Sequence, residues 1–172
     1  MTVNMQMRSR VEGFTLTEFA LVILGTMIML GAAVPILITS WNQYRLILAA
    51  QSLTAQMQYA RMKSVSSNES LRVSFPNGQR TYQVETASGT VVAGPFYLPK
   101  DVSWNSADGG SAVNFPGGYV SFNPTGSIPA SGDGSGGRAK IISTSGYRID
   151  IVVSRGGVIR QTSPYKAPPA PF

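Results

Sequence analysis

Glu18 is the residue whose setting most demands a chemical explanation. It is the single charge within Phe14–Ile38, a run of 25 residues that is otherwise apolar apart from glycine and threonine. A carboxylate embedded in such a run is expensive in lipid and marks a functional group with a partner to be named. Elsewhere the chain is poor in reactive groups. It has no cysteine and no histidine, so it lacks thiolate chemistry, a disulfide framework and the usual transition-metal ligands. The acids beyond the run, Glu69, Glu85, Asp101, Asp108, Asp133 and Asp150, show no spacing that pairs them for general acid–base work. The segment Gly132-Asp-Gly-Ser-Gly-Gly137 matches G-x-G-x-x-G, but it follows Pro129 and precedes a strand-like run instead of opening a helix. It reads as a flexible loop without a nucleotide, and the chain reads as a non-enzyme that uses no cofactor. Cations are more telling. Residues 45–172 hold 12 Lys and Arg against six acids, a net of +6, gathered at Arg61 and Lys63, at Arg138 and Lys140, and at Arg155, Arg160 and Lys166. Such a set forms either a solvated face or a phosphate-binding one.

The elements that position these residues follow from periodicity. Phe19–Ile38 supplies 20 residues without an ionisable side chain, enough to cross a hydrocarbon core. Arg8 and Arg10 precede the run and only Arg45 follows it closely, which places the amino terminus inside. Past Pro35 an apolar stripe continues at Leu46, Ala50, Leu53, Met57 and Ala60, at helical spacing. One helix from Phe14 to about Ser66 is expected, roughly 80 Å long, with a kink or melted turn near Gly31–Pro35. Its first half would lie in lipid or in a filament core. Its second half would cover a sheet. Leu71–Phe75 and Arg80–Glu85 alternate on either side of a turn at Pro76-Asn77-Gly78 and predict a hairpin. Short strands are expected at Thr90–Ala93, Phe96–Leu98, Val102–Trp104, Val113–Phe115 and Tyr119–Phe122, then a second hairpin of Arg138–Thr144 with Tyr147–Val153, and Val158–Gln161 after a glycine turn. Ser163–Phe172 is proline-rich and expected to be extended and loosely held. The expected organisation is a leader over 1–13, a membrane and assembly helix over 14–38, the amphipathic half of that helix over 39–67, a β-rich domain over 68–162 and a flexible tail over 163–172.

Gly13-Phe14-Thr15-Leu16-Thr17-Glu18, with a short polar leader before it and the apolar run directly after, resembles the class III leader of type IV prepilins and pseudopilins. An ordinary secretory peptide fits worse, because its cleavage site follows the apolar region. The resemblance implies cleavage after Gly13 by a prepilin peptidase and N-methylation of Phe14. It also implies that Glu18 pairs with the amino terminus of a neighbouring subunit, and that Pro35 is the family's helix proline. Three stretches beyond the leader resemble the GspH/FimT family: Tyr59–Asn68 with its Ala60-Arg61 pair, Tyr119–Gly126, and Ile149–Val153 followed by Gly157–Arg160. The fold implied is α+β and type IV pilin-like, a long kinked helix packed on a small antiparallel β-sheet domain. The function implied is that of a minor pilin or pseudopilin, anchored by one pass in the inner membrane with a periplasmic domain. It would assemble with other pilin subunits into a secretion pseudopilus or a pilus, at the tip. The alternatives are a DNA-binding minor pilin for DNA uptake and an ordinary membrane-anchored periplasmic protein. FimT-like DNA binders carry Gly-Arg-x-Arg near the carboxyl end; here Gly157-Val158-Ile159-Arg160 keeps only Arg160, with Arg155 and Lys166 as candidate substitutes.

Overall fold

The computed structural model describes residues 13–76, 79–105, 111–130 and 132–166, except for the side chains of residues 35, 36 and 39. The leader before Gly13, the turn residues Asn77 and Gly78, Asp108 and the tail after Lys166 lie outside these described residues, as does the Pro35 side chain. The chain divides into two units, Met1–Ile38 and Thr39–Phe172.

A single helix, α1, is assigned from Leu16 to Ser67. It begins at a reciprocal cap: the Glu18 N–H donates to Thr15 Oγ1 at 3.3 Å, and the Glu18 carboxylate accepts from the Thr15 N–H at 3.0 Å. That exchange satisfies donors that a helix start otherwise leaves unmade. The helical assignment runs unbroken through Gly31–Pro35, so the expected melted turn is not present. Proline removes one hydrogen bond, whereas melting a turn would leave several unmade in an apolar segment. At the other end Asn68 adopts φ 53° and the Glu69 N–H donates to the Ser64 carbonyl at 3.2 Å, a Schellman closure.

In the second unit the stripe behaves as its spacing requires. Leu46, Ala50, Leu53, Met57 and Ala60 are all fully buried, joined by Ala49. Among the described residues ten strands follow, and the antiparallel β domain is built of two sheets. The first has the order β3-β2-β1-β6, from Val91–Tyr97, Thr81–Thr86, Leu71–Ser74 and Tyr119–Phe122. The second has the order β10-β8-β7-β4, from Tyr165–Lys166, Tyr147–Val153, Gly137–Ser143 and Val102–Trp104. Two further short strands join it: β5 (Val113–Asn114) pairs with β7, and β9 (Ile159–Gln161) pairs with β8. Both predicted hairpins form, with Leu71 opposite Thr86 and Gly137 opposite Val153. Val73, Val84, Val120 and Phe122 from one sheet and Ile141, Ile149, Ile151 and Val153 from the other meet the helix stripe in one core.

Three local expectations fail for identifiable reasons. Gly94 and Pro95 do not separate two strands; β3 runs through both as an edge strand, where a proline without an N–H costs no ladder bond on the open side. The loop Gly132–Gly137 is packed over its second part, Gly134–Gly137: Gly134 bridges to Val120, and a Cβ on Gly137 would lie 2.0 Å from the Asn114 carbonyl oxygen. The tail is not loose at its start, because Tyr165 and Lys166 pair with Arg148 and Tyr147.

Candidate functional site

Among its described residues the amino-terminal unit presents an apolar surface with one carboxylate, Glu18. Leu16–Val34 is long and apolar enough to cross a membrane, and none of it is buried. Gly13 and Phe14, the residues flanking the expected cleavage point, are both exposed. Glu18 Oε2 accepts from both the Thr15 N–H and the Thr15 hydroxyl, the latter at 2.8 Å. The carboxylate therefore sits at the positive end of its own helix, where the backbone dipole favours a negative charge. The sequence signal for this cap was the Thr15-x-x-Glu18 spacing ahead of an apolar run.

The three stretches that carry the family resemblance converge at one place in the second unit. Arg61 Nε donates to the Gly126 carbonyl at 2.8 Å, and Ser64 Oγ donates to the Asn123 carbonyl at 3.1 Å. Gly157, at φ +70°, presses on the same turn; a Cβ there would lie 2.1 Å from the Gly126 oxygen. These residues clamp the helix end, the β6 turn and the β8–β9 turn together. Arg61 is thereby a structural cation.

The carboxyl-terminal cations separate into two sets. Register places Arg138 on β7 and Arg160 on β9 on either side of Val152 on β8, and all three are exposed. Directly opposed residues share a sheet face, so Arg138, Val152 and Arg160 form one row across three strands. Arg155 is exposed in the adjoining turn, and a groove of about 440 Å³ lies beside the row, lined by Asn114, Gly136, Gly137, Arg138 and Val152. Lys166 is not part of this group. It lies opposite Tyr147, at the far end of β8 from Val153, about 20 Å along the strand.

Sequence reasoning missed Arg138 as a member of this row, because only the pairing through β8 reveals it. It also missed a buried polar cluster. Arg148 and Asp150, both under one-tenth exposed, form an ion pair at 3.2 Å. The Tyr165 hydroxyl accepts from Arg148 Nε and donates to Asp150 Oδ2 at 3.1 Å, with the guanidinium 4.8 Å over its ring. Burial pushes the Tyr165 phenol above its ordinary range; Asp150 adds to this and Arg148 opposes it. On the first sheet Glu85 is buried, which alone would raise its pKa. Hydrogen bonds from Gln83, Ser74 and Arg72, with the Arg72 charge, outweigh this and hold the carboxyl below its usual range. Among the described residues no three His, Cys, Asp or Glu side chains gather as a metal site.

This architecture has counterparts. The crystal structure of the type IV minor pilin FimU of Pseudomonas aeruginosa aligns over 69% of this chain and 88% of its own, at 17% identity and a TM-score of 0.51. That likeness is one of fold: a helix on an antiparallel β domain. The minor pseudopilin EpsH of the Vibrio cholerae type 2 secretion system aligns over 69% of this chain and 97% of its own, at 10% identity and a TM-score of 0.48. No curated protein sequence matches the chain. The model of the family described as type II transport protein GspH matches residues 49–157, which include the Arg61, Gly126 and Gly157 clamp. On that match over more than half of its length, the chain belongs to the GspH family of minor pilins and pseudopilins.

Proposed function

We propose that this protein is a structural subunit, not an enzyme, that assembles through its apolar helix into a type II secretion pseudopilus or a type IV pilus, near the tip. The observation that carries this reading is the wholly exposed apolar span Leu16–Val34 with one carboxylate at its start. Such a surface is stable only in lipid or against other helices. A prepilin peptidase cuts after Gly13 and methylates Phe14. The subunit then resides in the inner membrane with its β-rich unit in the periplasm, the orientation favoured by Arg8 and Arg10. On assembly Glu18 exchanges its Thr15 partners for the amino terminus of a neighbouring pilin subunit. Family membership favours this account over an ordinary membrane-anchored periplasmic protein. The intact mass of the membrane-extracted protein tests it: a chain beginning at N-methylated Phe14 supports the reading, and a retained leader or a cut after the apolar run overturns it.

A second reading, binding of a DNA backbone during uptake, is supported by the exposed row of Arg138 and Arg160 with Arg155 beside it. Cations at such spacing contact phosphates without reading bases. Retention of duplex DNA at low salt by residues 40–172 is its test.

A further inference from the structure

Trp41 and Tyr44 are large aromatic side chains left more than half exposed at the start of the second unit, at 59% and 54%. They stand about one helical turn apart, with ring centroids 6.4 Å from one another. The face of α1 carrying Leu46, Ala49 and Ala50 goes into the core, so these rings are surplus to the unit's own packing. Arg45 holds the arrangement in place. Its guanidinium lies 5.9 Å from the Trp41 ring centroid and pairs with Asp101. Among the described residues neither the Trp41 indole N–H nor the Tyr44 hydroxyl has a hydrogen-bond partner.

Position along the helix gives these exposed rings a use. Phe19–Ile38 fills a hydrocarbon core of about 30 Å, and the interfacial region beyond it is about 5–8 Å deep on each side. Trp41, Tyr44 and Arg45 follow Ile38 by three, six and seven residues, or about 4.5, 9 and 10.5 Å of helix. Trp41 therefore falls within the interfacial layer, while the Tyr44 and Arg45 backbones lie just beyond it, close enough for long side chains, which on a helix lean toward its amino-terminal end, to reach back into the layer. Tryptophan and tyrosine prefer that depth because an apolar ring and a polar tip are both satisfied there, and a guanidinium meets lipid phosphate.

We infer that Trp41, Tyr44 and Arg45 form a docking surface for the headgroup layer of the bilayer, fixing the depth of the subunit before it enters a filament. The inference rests on the membrane-spanning reading of α1. The full chain, reconstituted in vesicles of phosphatidylcholine and phosphatidylglycerol, tests it by tryptophan quenching with brominated lipids. The chain has two tryptophans, so a Trp41→Phe protein reports Trp104 alone, and Trp41 is exposed enough for that change to spare the fold. Bromines near the glycerol end of the acyl chain should quench about twofold more than bromines near its terminal methyl, and the difference should vanish in Trp41→Phe. A native protein that floats with the vesicles but quenches no differently from Trp41→Phe overturns the inference alone. Strongest quenching at the terminal methyl also overturns it, by placing Trp41 in the hydrocarbon. A chain that does not float overturns the spanning reading, and the inference with it.

Discussion

Glu18 is satisfied by Thr15 within its own chain, so the carboxylate is not orphaned before assembly and can exchange one partner for another. Glu18→Ala should insert into membrane as well as the native chain or better, since it removes a charge from the apolar segment. If Glu18 pairs with a neighbour's amino terminus as proposed, co-purification with partner pilins should fall about tenfold or more, because that terminus would be left uncompensated in a low-dielectric core. Unchanged co-purification counts against the pairing. Glu85 gives a second expectation at this scale. Its folded pKa lies below the ordinary glutamate value that the unfolded chain would show, so its contribution to stability is present above that ordinary value and is lost as pH falls through the folded pKa. Glu85→Gln should therefore lower stability at neutral pH and flatten the acid limb of the stability curve. Parallel acid limbs for the two proteins, followed by chemical denaturation of residues 40–172 between pH 7 and about 2, would rule this out.

Among the elements, the clamp of α1, the β6 turn and the β8–β9 turn should dominate the stability of the β-rich unit. Gly157→Ala forces a Cβ to 2.1 Å from a backbone oxygen at φ +70°, and should cost about 2–4 kcal/mol from strain and overpacking together. Arg61→Ala removes a charged donor from the Gly126 carbonyl and should cost about 1–3 kcal/mol. Urea midpoints of residues 40–172 measure both; a Gly157→Ala midpoint equal to the native one would mean that the turn moves freely. The elements also show which signals carried. Leu71–Ser74 with Thr81–Thr86, and Gly137–Ser143 with Tyr147–Val153, were readable from alternation and turn residues because each hairpin is local. Gly94 and Pro95 predict a break because glycine and proline normally punctuate, a rule that the edge strand β3 escapes. Tyr165 and Lys166 looked like loose tail because a two-residue strand has no period to detect.

For the whole molecule, the net charge of +6 sets up a field that only the fold arranges into a surface. If Arg138, Arg155 and Arg160 each neutralise one phosphate, DNA affinity should fall with salt at a log–log slope of roughly −2 to −3, with little sequence preference. Arg138→Gln with Arg160→Gln should flatten that slope by about two, while Lys166→Gln, at the other end of β8, should leave it unchanged. A domain that does not shift duplex DNA at low salt, or whose slope ignores the arginine changes, leaves the pseudopilin reading without a nucleic-acid role.

By itself the sequence determined what is periodic or local. The length and apolarity of Phe14–Ile38, the buried stripe from Leu46 to Ala60 and the two hairpins follow from spacings of a few residues, which chain geometry converts directly into faces. Tertiary structure decided what depends on contacts between distant segments. It split the strands into two sheets and turned Arg61, Gly126 and Gly157 from weak motifs into one clamp. It buried Arg148 with Asp150 beneath Tyr165, and set Arg138 and Arg160 in one row across β8 while sending Lys166 to its other end. Charges scattered along a chain have no sign pattern that announces a patch, because strand register, set by the buried faces, selects which of them become neighbours.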